Sequence, residues 1–250
     1  VLRQLTTGRL IAIDRDAAAL RAVEERLGDG GGRVRYVHAS YGELERILED
    51  RPADGIVADL GVSRDQLEDP ARGFSFQQPG PLDMRMDTTQ ELTAADIVNT
   101  YGEKPIADLI YRYGEERGSR RIARAIVRAR PLTSTRQLAA VIERAAPRTV
   151  RDRLHPATRT FQALRIVVND ELGELEKLLE AAPPRLTAGG RFVLVSFHSL
   201  EDRLAKQALR RWAGLGVLII LTKHVVRPGE EETSRNPASR SAKLRAAERR

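Results

Sequence analysis

The sequence predicts an α/β protein with a doubly wound parallel sheet that is interrupted by an inserted all-helical domain. Three observations support this prediction. Short apolar runs typical of strands alternate with amphipathic helical stretches over the first 60 residues, which is the rhythm of β-α-β units. From about residue 93 to residue 165 the pattern is helical throughout. A strand-like run then returns at 190–196, so we expect the sheet to resume after the insertion.

The first third of the chain supplies three predicted strands and two predicted helices. The strands are short apolar runs at 9–13, 33–37 and 55–58. The helices carry apolar residues on one face and lie at 17–27 and 41–48. Residues 62–87 contain three prolines and show neither a helical nor a strand period, so we expect a long loop there.

The remaining elements define the insertion and complete the sheet. Helices are predicted at 94–101, 106–113, 118–130, 134–145 and from 157 onward. A helix at 170–186 leads into the strand at 190–196, and 217–222 is expected to pair with 243–247 as an antiparallel hairpin. We therefore predict a discontinuous α/β domain, residues 1–78 and 166–250, around a helical domain at residues 79–165.

Composition excludes several classes of site. Cysteine is absent, which excludes disulfides, thiolate metal sites and cysteine nucleophiles, and which fits a cytoplasmic location. The four histidines are scattered, so no metal site is predicted. The longest aliphatic run, at 217–221, is too short to cross a bilayer, and we expect no membrane partner.

The positive charge is concentrated in the insertion. Residues 101–165 hold 15 basic and 6 acidic residues, a net charge of +9, whereas the whole chain carries +7. Arginine-rich helices often have solvated faces and no further role. The alternative is a surface that binds a polyanion beside the crevice of the α/β domain.

Two aspartates follow predicted strands at the edge where ligands bind in doubly wound folds. Asp14 comes directly after the strand at 9–13. An acidic residue at this position accepts hydrogen bonds from the ribose hydroxyls of an adenosine cofactor. Asp59 ends the strand at 55–58. The alternative for Asp14 is a simple turn residue, although Asp16 suits the cap of the following helix better.

A histidine follows the resumed strand at the same edge. His198 is either a general base or a structural polar residue beside a helix cap. We expect Ser199 to be the N-cap, with Asp202 completing a capping box.

Seven strings, in order along the chain, resemble the bacterial 16S ribosomal RNA cytosine-N4 methyltransferase family. They are AIDRD at 12–16, DLGVS at 59–63, RGFSF at 72–76, GPLDMRMD at 80–87, YGEER at 113–117, HPATRTFQALR at 155–165 and SFHSLEDR at 196–203. The resemblance covers nearly the whole chain.

The resemblance implies a class I, S-adenosylmethionine-dependent methyltransferase with a helical insertion. By position, Asp14 would bind the cofactor ribose, and Tyr41 would pack near the adenine. Asp59 and Gln66 would complete the cofactor pocket. The Gly-Gly-His cofactor loop of the family is expected upstream of Val1, because the chain opens on what reads as a helix end.

The implied substrate is a cytidine of 16S ribosomal RNA, either as RNA or in the small ribosomal subunit. The amine of cytosine is a poor nucleophile, so the site must orient it and accept a proton; the candidates are Asp59, Asp83, Asp87 and His198. Arg85 is expected on a phosphate or base edge. The other arginines expected to bind RNA lie in the insertion: Arg120, Arg121, Arg124 and Arg159. A homodimer is the candidate assembly state.

Two alternatives remain at this point. An aspartate at the position of Asp14 also suits a nicotinamide cofactor, so one alternative is an oxidoreductase. The other is a catalytically inactive RNA-binding protein that lacks the cofactor loop.

Overall fold

The structure, a computed structural model, describes residues 5, 7–146 and 155–250. The chain divides into two compact units. The α/β unit comprises Val1–Gly61 and Leu172–Arg250, and the helical unit comprises Val62–Glu171. The helical unit thus has wider bounds than the predicted 79–165, because the segment from Val62 onward packs with the helices.

The first half of the α/β unit alternates strands and helices. Its elements are β1 (Leu10–Asp14), α1 (Ala17–Leu27), β2 (Val34–His38), α2 (Leu44–Leu48) and β3 (Ala53–Asp59). β1 and β2 pair in parallel, with Asp14 opposite His38. Asp16 is the N-cap of α1, since its side chain accepts hydrogen bonds from the backbone N–H groups of Ala18 and Ala19.

The helical unit follows without a strand of its own among the described residues. Its helices are α3 (Arg64–Glu68), α4 (Ala94–Thr100), α5 (Glu103–Gly114), α6 (Ser119–Arg128), α7 (Thr135–Ala145) and α8 (Ala157–Asn169). Each long helix buries one apolar stripe in a shared core; Ile110, Ile122 and Leu138 are fully buried there. The helix α5 approaches α8 closely at Gly114, where an added Cβ would lie 2.6 Å from the carbonyl oxygen of Arg159.

The chain then returns to the α/β unit. The elements are α9 (Glu171–Ala181), β4 (Leu186–Ser196), α10 (Ser199–Gly214), β5 (Leu218–Ile220), α11 (Glu230–Arg235) and β6 (Lys243–Arg249). The strand order is β3-β4-β6-β5, with β3 parallel to β4 and the other two pairs antiparallel. The core of this unit centres on Phe192 and Leu194 of β4 and on Leu175 and Leu178 of α9.

The α/β class and the closing hairpin are confirmed, and two local predictions are wrong. The predicted helix at 170–186 ends at Ala181, because Pro183 and Pro184 cannot donate helical hydrogen bonds. The segment 62–87 is not entirely loop: α3 forms because Ser63 and Gln66 close a capping box.

The sheet also differs in one respect from a single doubly wound sheet. The described strands form two sheets, the pair β1-β2 and the four-stranded sheet that begins with β3.

Among residues 5, 7–146 and 155–250, no helix combines the length and the apolar character that a bilayer crossing requires.

Candidate functional site

Asp14 lies at the carboxyl end of β1, as predicted. Its Oδ1 accepts a hydrogen bond of 2.8 Å from the backbone N–H of Asp16, which orients the carboxylate across the turn into α1. Desolvation by the surrounding atoms raises the pKa of Asp14 above its usual value, although the residue keeps exposed surface. Asp14 therefore presents an oriented acceptor at the strand end.

Tyr41 lies in a short 3-10 turn, Tyr41–Glu43, that two acidic side chains fix in place. Ser40 and Glu43 form a reciprocal capping box around the turn. Glu174 of α9 accepts a hydrogen bond from the Ser40 hydroxyl and forms an ion pair of 2.6 Å with Lys177. The half-buried ring of Tyr41 packs on the core of the α/β unit. The turn that carries Tyr41 is thus tied to α9.

Asp59 lies at the carboxyl end of β3, next to the end of β4. It is opposite Val195 in the parallel ladder, and the N–H of Leu60 donates to the Val195 carbonyl at 2.9 Å. Burial raises the pKa of Asp59, and the negative charge of Glu201 raises it further. Asp59 keeps exposed surface and is a stronger base than an aspartate of ordinary pKa.

Glu201 is a buried acidic residue that the sequence analysis missed. It is 2% exposed, and its Oε2 accepts hydrogen bonds from the backbone N–H groups of Phe197 and His198 at 2.9 and 3.3 Å. The spacing His198-x-x-Glu201 is that of a capping box, and this signal could have found it.

His198 is the N-cap of α10, which corrects the expected cap. Its Nδ1 accepts from the N–H of Glu201 at 3.4 Å, so Ser199 is the first residue of the helix and Glu201 closes the box in place of Asp202. Its Nε2 lies 3.2 Å from a carboxylate oxygen of Glu201. The residue is well placed for the structural role that was the alternative to a general base.

Gln66 belongs to the helical unit, where it is 7% exposed. Its backbone N–H donates to the Ser63 hydroxyl at 3.1 Å, and its Oε1 accepts from the Ser63 N–H at 2.9 Å. The side chain is thus used by the cap of α3. Its predicted role in the cofactor pocket stays a prediction.

The segment Leu82–Asp87, here called the strip, carries the two other catalytic candidates. Burial alternates along it: Leu82, Met84 and Met86 are buried in the helical core, and the residues between them are partly exposed. The strip thus buries Leu82, Met84 and Met86 and leaves Asp83, Arg85 and Asp87 partly exposed, although Met84 departs from the extended conformation with a φ of 63°.

Asp83 and Arg85 form a bidentate ion pair on the exposed side of the strip. The two nitrogens Nε and Nη2 of Arg85 each donate to a different Asp83 oxygen at 2.8 Å. Burial opposes ionisation of Asp83, but the hydrogen bonds from Arg85 outweigh it, so the pKa of Asp83 is lowered. A lowered pKa makes Asp83 a weaker base than Asp59.

Arg85 is also held by backbone groups. Its Nη1 donates to the carbonyls of Thr88 and Gln90 at 3.0 and 2.7 Å. Asp87 begins the following turn, since its Oδ1 accepts from the N–H and the hydroxyl of Thr89 at 2.9 and 2.7 Å. The geometry gives Arg85 a structural role, and its predicted contact with a phosphate or base edge stays a prediction.

The helix α6 carries a strongly basic exposed face, here called the arginine face. Its members are Arg120, Arg121, Arg124 and Arg128. At 3.6 residues per turn these positions fall within an arc of about 100°. Ile122 and Ile126 point the other way and are fully buried. Of the four arginines, only Arg124 forms an ion pair within the described part of the chain, at 3.3 Å to Glu103.

Arg159 lies apart from the arginine face, in the first turn of α8. It forms a 3.3 Å ion pair with Glu116. In the same unit the ring of Phe76 packs against His155 with the ring planes tilted by 33° and the centroids 4.6 Å apart. It meets Phe161 edge-on at 4.9 Å. No sequence signal predicted this cluster, because its members come from distant segments.

The structure therefore divides the predicted site residues between the two units. Asp14, Tyr41, Asp59 and His198 belong to the α/β unit. The helical unit holds the rest, namely Gln66, Asp83, Arg85, Asp87, Arg120, Arg121, Arg124 and Arg159.

Comparison with known proteins places the chain among ribosomal RNA methyltransferases. The sequence model of the MraW methylase family matches residues 1–250. The "Ribosomal RNA small subunit methyltransferase H" of Acidobacterium capsulatum is 55% identical over 97% of this chain and 84% of its own length. The proteins of the same name from Solibacter usitatus and Synechococcus elongatus are 54% and 52% identical over 100% of this chain, covering 88% and 83% of their own lengths.

Proposed function

This chain belongs to the MraW methylase family, and we propose that it transfers a methyl group from S-adenosylmethionine to the exocyclic N4 of a cytidine in 16S ribosomal RNA. The observation that carries the proposal is the match over the whole chain to small-subunit ribosomal RNA methyltransferases, at more than half identical residues. The chain has the class I methyltransferase fold of this family.

The acceptors at the strand ends fit the proposed cofactor. Asp14 offers an oriented carboxylate at the end of β1, and a carboxylate can accept from both hydroxyls of a ribose. Tyr41, fixed by the Ser40–Glu43 box, offers an aromatic face for an adenine. S-adenosylmethionine supplies an electrophilic methyl group on a sulfonium. In this proposal Asp14, Tyr41 and Asp59 of the α/β unit hold it, and the part of Gln66 stays what the family resemblance implies.

Asp59 is the proposed proton acceptor for the cytosine amine. The amine nitrogen forms a bond to the methyl carbon while the carbon–sulfur bond breaks, and the nitrogen then gives up one proton. A nearby carboxylate of raised pKa can orient the amine by accepting its hydrogen bond and can receive that proton. Asp83 is less suited to this role because Arg85 lowers its pKa.

The strip Leu82–Asp87 and the arginine face are the proposed RNA-contacting parts of the helical unit. Asp87 is the further candidate on the strip for a contact to the reacting base. Arginines bind phosphates through paired N–H groups, and the arginine face concentrates four guanidinium groups over about 12 Å of helix. The target base must leave its stack to reach the methyl group.

The proposal is tested by methyl incorporation. Purified protein is incubated with radiolabelled S-adenosylmethionine and small ribosomal subunits, or with 16S ribosomal RNA alone, and the RNA is digested to nucleosides. Labelled N4-methylcytidine identified by mass spectrometry is the expected product. Label on another nucleoside, or none with either substrate, would contradict the proposal.

Calorimetric titration separates the cofactor alternatives. We expect binding of S-adenosylmethionine and none of a nicotinamide dinucleotide.

Location in the cytoplasm follows from the proposed substrate. The homodimer stays a prediction, which light scattering of the purified protein tests.

A further inference from the structure

Asn169, at the end of α8, is a buried amide that binds the strip Leu82–Asp87. It is 2% exposed. Its Nδ2 donates to the carbonyl of Met84 at 2.7 Å, and its Oδ1 accepts from the N–H of Met86 at 2.7 Å. Nδ2 also donates to the carbonyl of Arg165 one turn earlier in α8, at 2.9 Å. The amide thus joins the strip to the helix.

The two hydrogen bonds between Asn169 and the strip have the pattern of a parallel β-ladder. In a parallel ladder, one peptide group donates to the residue before its partner and accepts from the residue after it. Asn169 does the same around Arg85. A side chain must carry both a donor and an acceptor to do this, so neither aspartate nor leucine can replace it.

A second side chain holds the same segment. Nη2 of Arg72 donates to the carbonyls of Arg85 and Met86 at 3.0 and 2.9 Å. The N–H of Met84 donates to the carbonyl of Arg72 at 3.0 Å. Met84 itself has a φ of 63°, in the left-handed backbone region that residues with a Cβ rarely adopt. Such a conformation persists where surrounding contacts determine it.

We propose that Asn169 is a positioning residue for methyl transfer, which holds the strip in the one conformation that presents Asp83, Arg85 and Asp87 together. The inference rests on the proposed function for its catalytic consequence. Its structural consequence, a strip that loosens when the amide is removed, does not depend on that function.

The test compares Asn169→Asp with a matched control, Asn99→Asp. Asn99 of α4 makes the same kind of clamp elsewhere in the helical unit: its Nδ2 donates to the carbonyl of Leu132 at 2.9 Å, and its Oδ1 accepts from the Leu132 N–H at 2.8 Å. Aspartate keeps the acceptor in both variants and removes the donors. In Asn169→Asp, the ionised carboxylate would face the carbonyls of Met84 and Arg165.

For Asn169→Asp we expect kcat to fall by about 10²-fold, since a displacement of about 1 Å is enough for such a loss. The affinity for S-adenosylmethionine, measured by calorimetry, should change less than twofold. The ratio of the kcat of this variant to that of the wild type should rise as the pH falls, because protonation of the introduced carboxylate restores one donor. Asn99→Asp should keep the kcat of the wild type.

Hydrogen exchange gives a second readout that needs no activity. Exchange at the N–H groups of residues 84–86 should be faster in Asn169→Asp, and unchanged in Asn99→Asp. A folded Asn169→Asp with wild-type kcat and unchanged exchange overturns the inference. An inactive wild type with faster exchange in the variant overturns the proposed function and leaves the clamp supported. Should Asn169→Asp fail to fold by circular dichroism, Arg72→Gln carries the same test with the same expected results.

Discussion

Arg245 on β6 holds Asp202 on α10 through two hydrogen bonds, from Nε at 2.7 Å and from Nη2 at 3.2 Å. Both side chains are largely buried, at 11% and 19% exposure. The pair ties the helix that follows β4 to the strand beside β4. Asp202, which the sequence analysis placed in a cap, thus stabilises the packing of α10 on the sheet.

The first prediction concerns this pair. Asp202→Ala leaves Arg245 without its carboxylate, and we expect the free energy of unfolding to fall by about 1–3 kcal/mol. Urea denaturation followed by circular dichroism measures it. The control is Asp108→Ala, which breaks the exposed Lys104–Asp108 pair of α5. Equal effects of the two substitutions would contradict a specific role for the buried pair.

The second prediction concerns the proton acceptor. Asp59→Asn keeps the shape of the side chain and removes the base, so we expect kcat for methyl transfer to fall by about 10²–10⁴-fold. Single-turnover incorporation of labelled methyl groups measures the effect. Asp54→Asn, on the same strand, removes only a carboxylate that accepts a hydrogen bond from Thr187 and should leave kcat unchanged. Full activity of Asp59→Asn would rule out the assigned role.

The third prediction concerns pH. The charge of Glu201 raises the pKa of Asp59, so Glu201→Gln should lower that pKa. Asp59 then stays ionised to lower pH, and the acid limb of the profile of kcat/KM against pH should move to lower pH. The control Glu230→Gln, in α11, should leave the limb in place. A shift of the limb to higher pH in Glu201→Gln would contradict the assignment.

The fourth prediction concerns the arginine face. Replacing both Arg120 and Arg128 by glutamine should weaken binding to 16S ribosomal RNA. The slope of log K against log salt should become shallower by about 0.7 for each phosphate contact that is lost on a single strand. Filter binding over a salt series measures both quantities. Arg235→Gln, on α11, is the control. An unchanged slope in the double variant would show that the arginine face does not contact the phosphate backbone of the RNA.

Sequence periodicity predicted most elements because their apolar stripes are regular. The strand β1 and the helices α4 to α8 of the helical unit were found in this way. It failed where a local contact decided the structure. The short helix α3 depends on the box between Ser63 and Gln66, and the cap of α10 uses His198 in place of the more common serine.

The site could be predicted only where residues follow strand ends. Asp14 and Asp59 were identified because each follows a strand, and the carboxyl ends of the strands line the ligand crevice in doubly wound folds. Asn169 gave no such signal, since its partners on the strip are 83 and 85 residues away in the sequence. Glu201 carried only the local signal of its capping box with His198. The burial of Glu201 and its effect on Asp59 depend on tertiary structure.

The division of the α/β unit by the helical unit has a consequence for the order of events during synthesis. Thr187 on β4 donates a hydrogen bond to Asp54 on β3 across 133 positions of sequence. When β3 leaves the ribosome, its partner β4 has not yet been made, whereas every segment of the helical unit emerges before β4. Domains fold as units in the order in which they are synthesised. The helical unit is therefore the first complete folding unit of this chain, and the four-stranded sheet closes last.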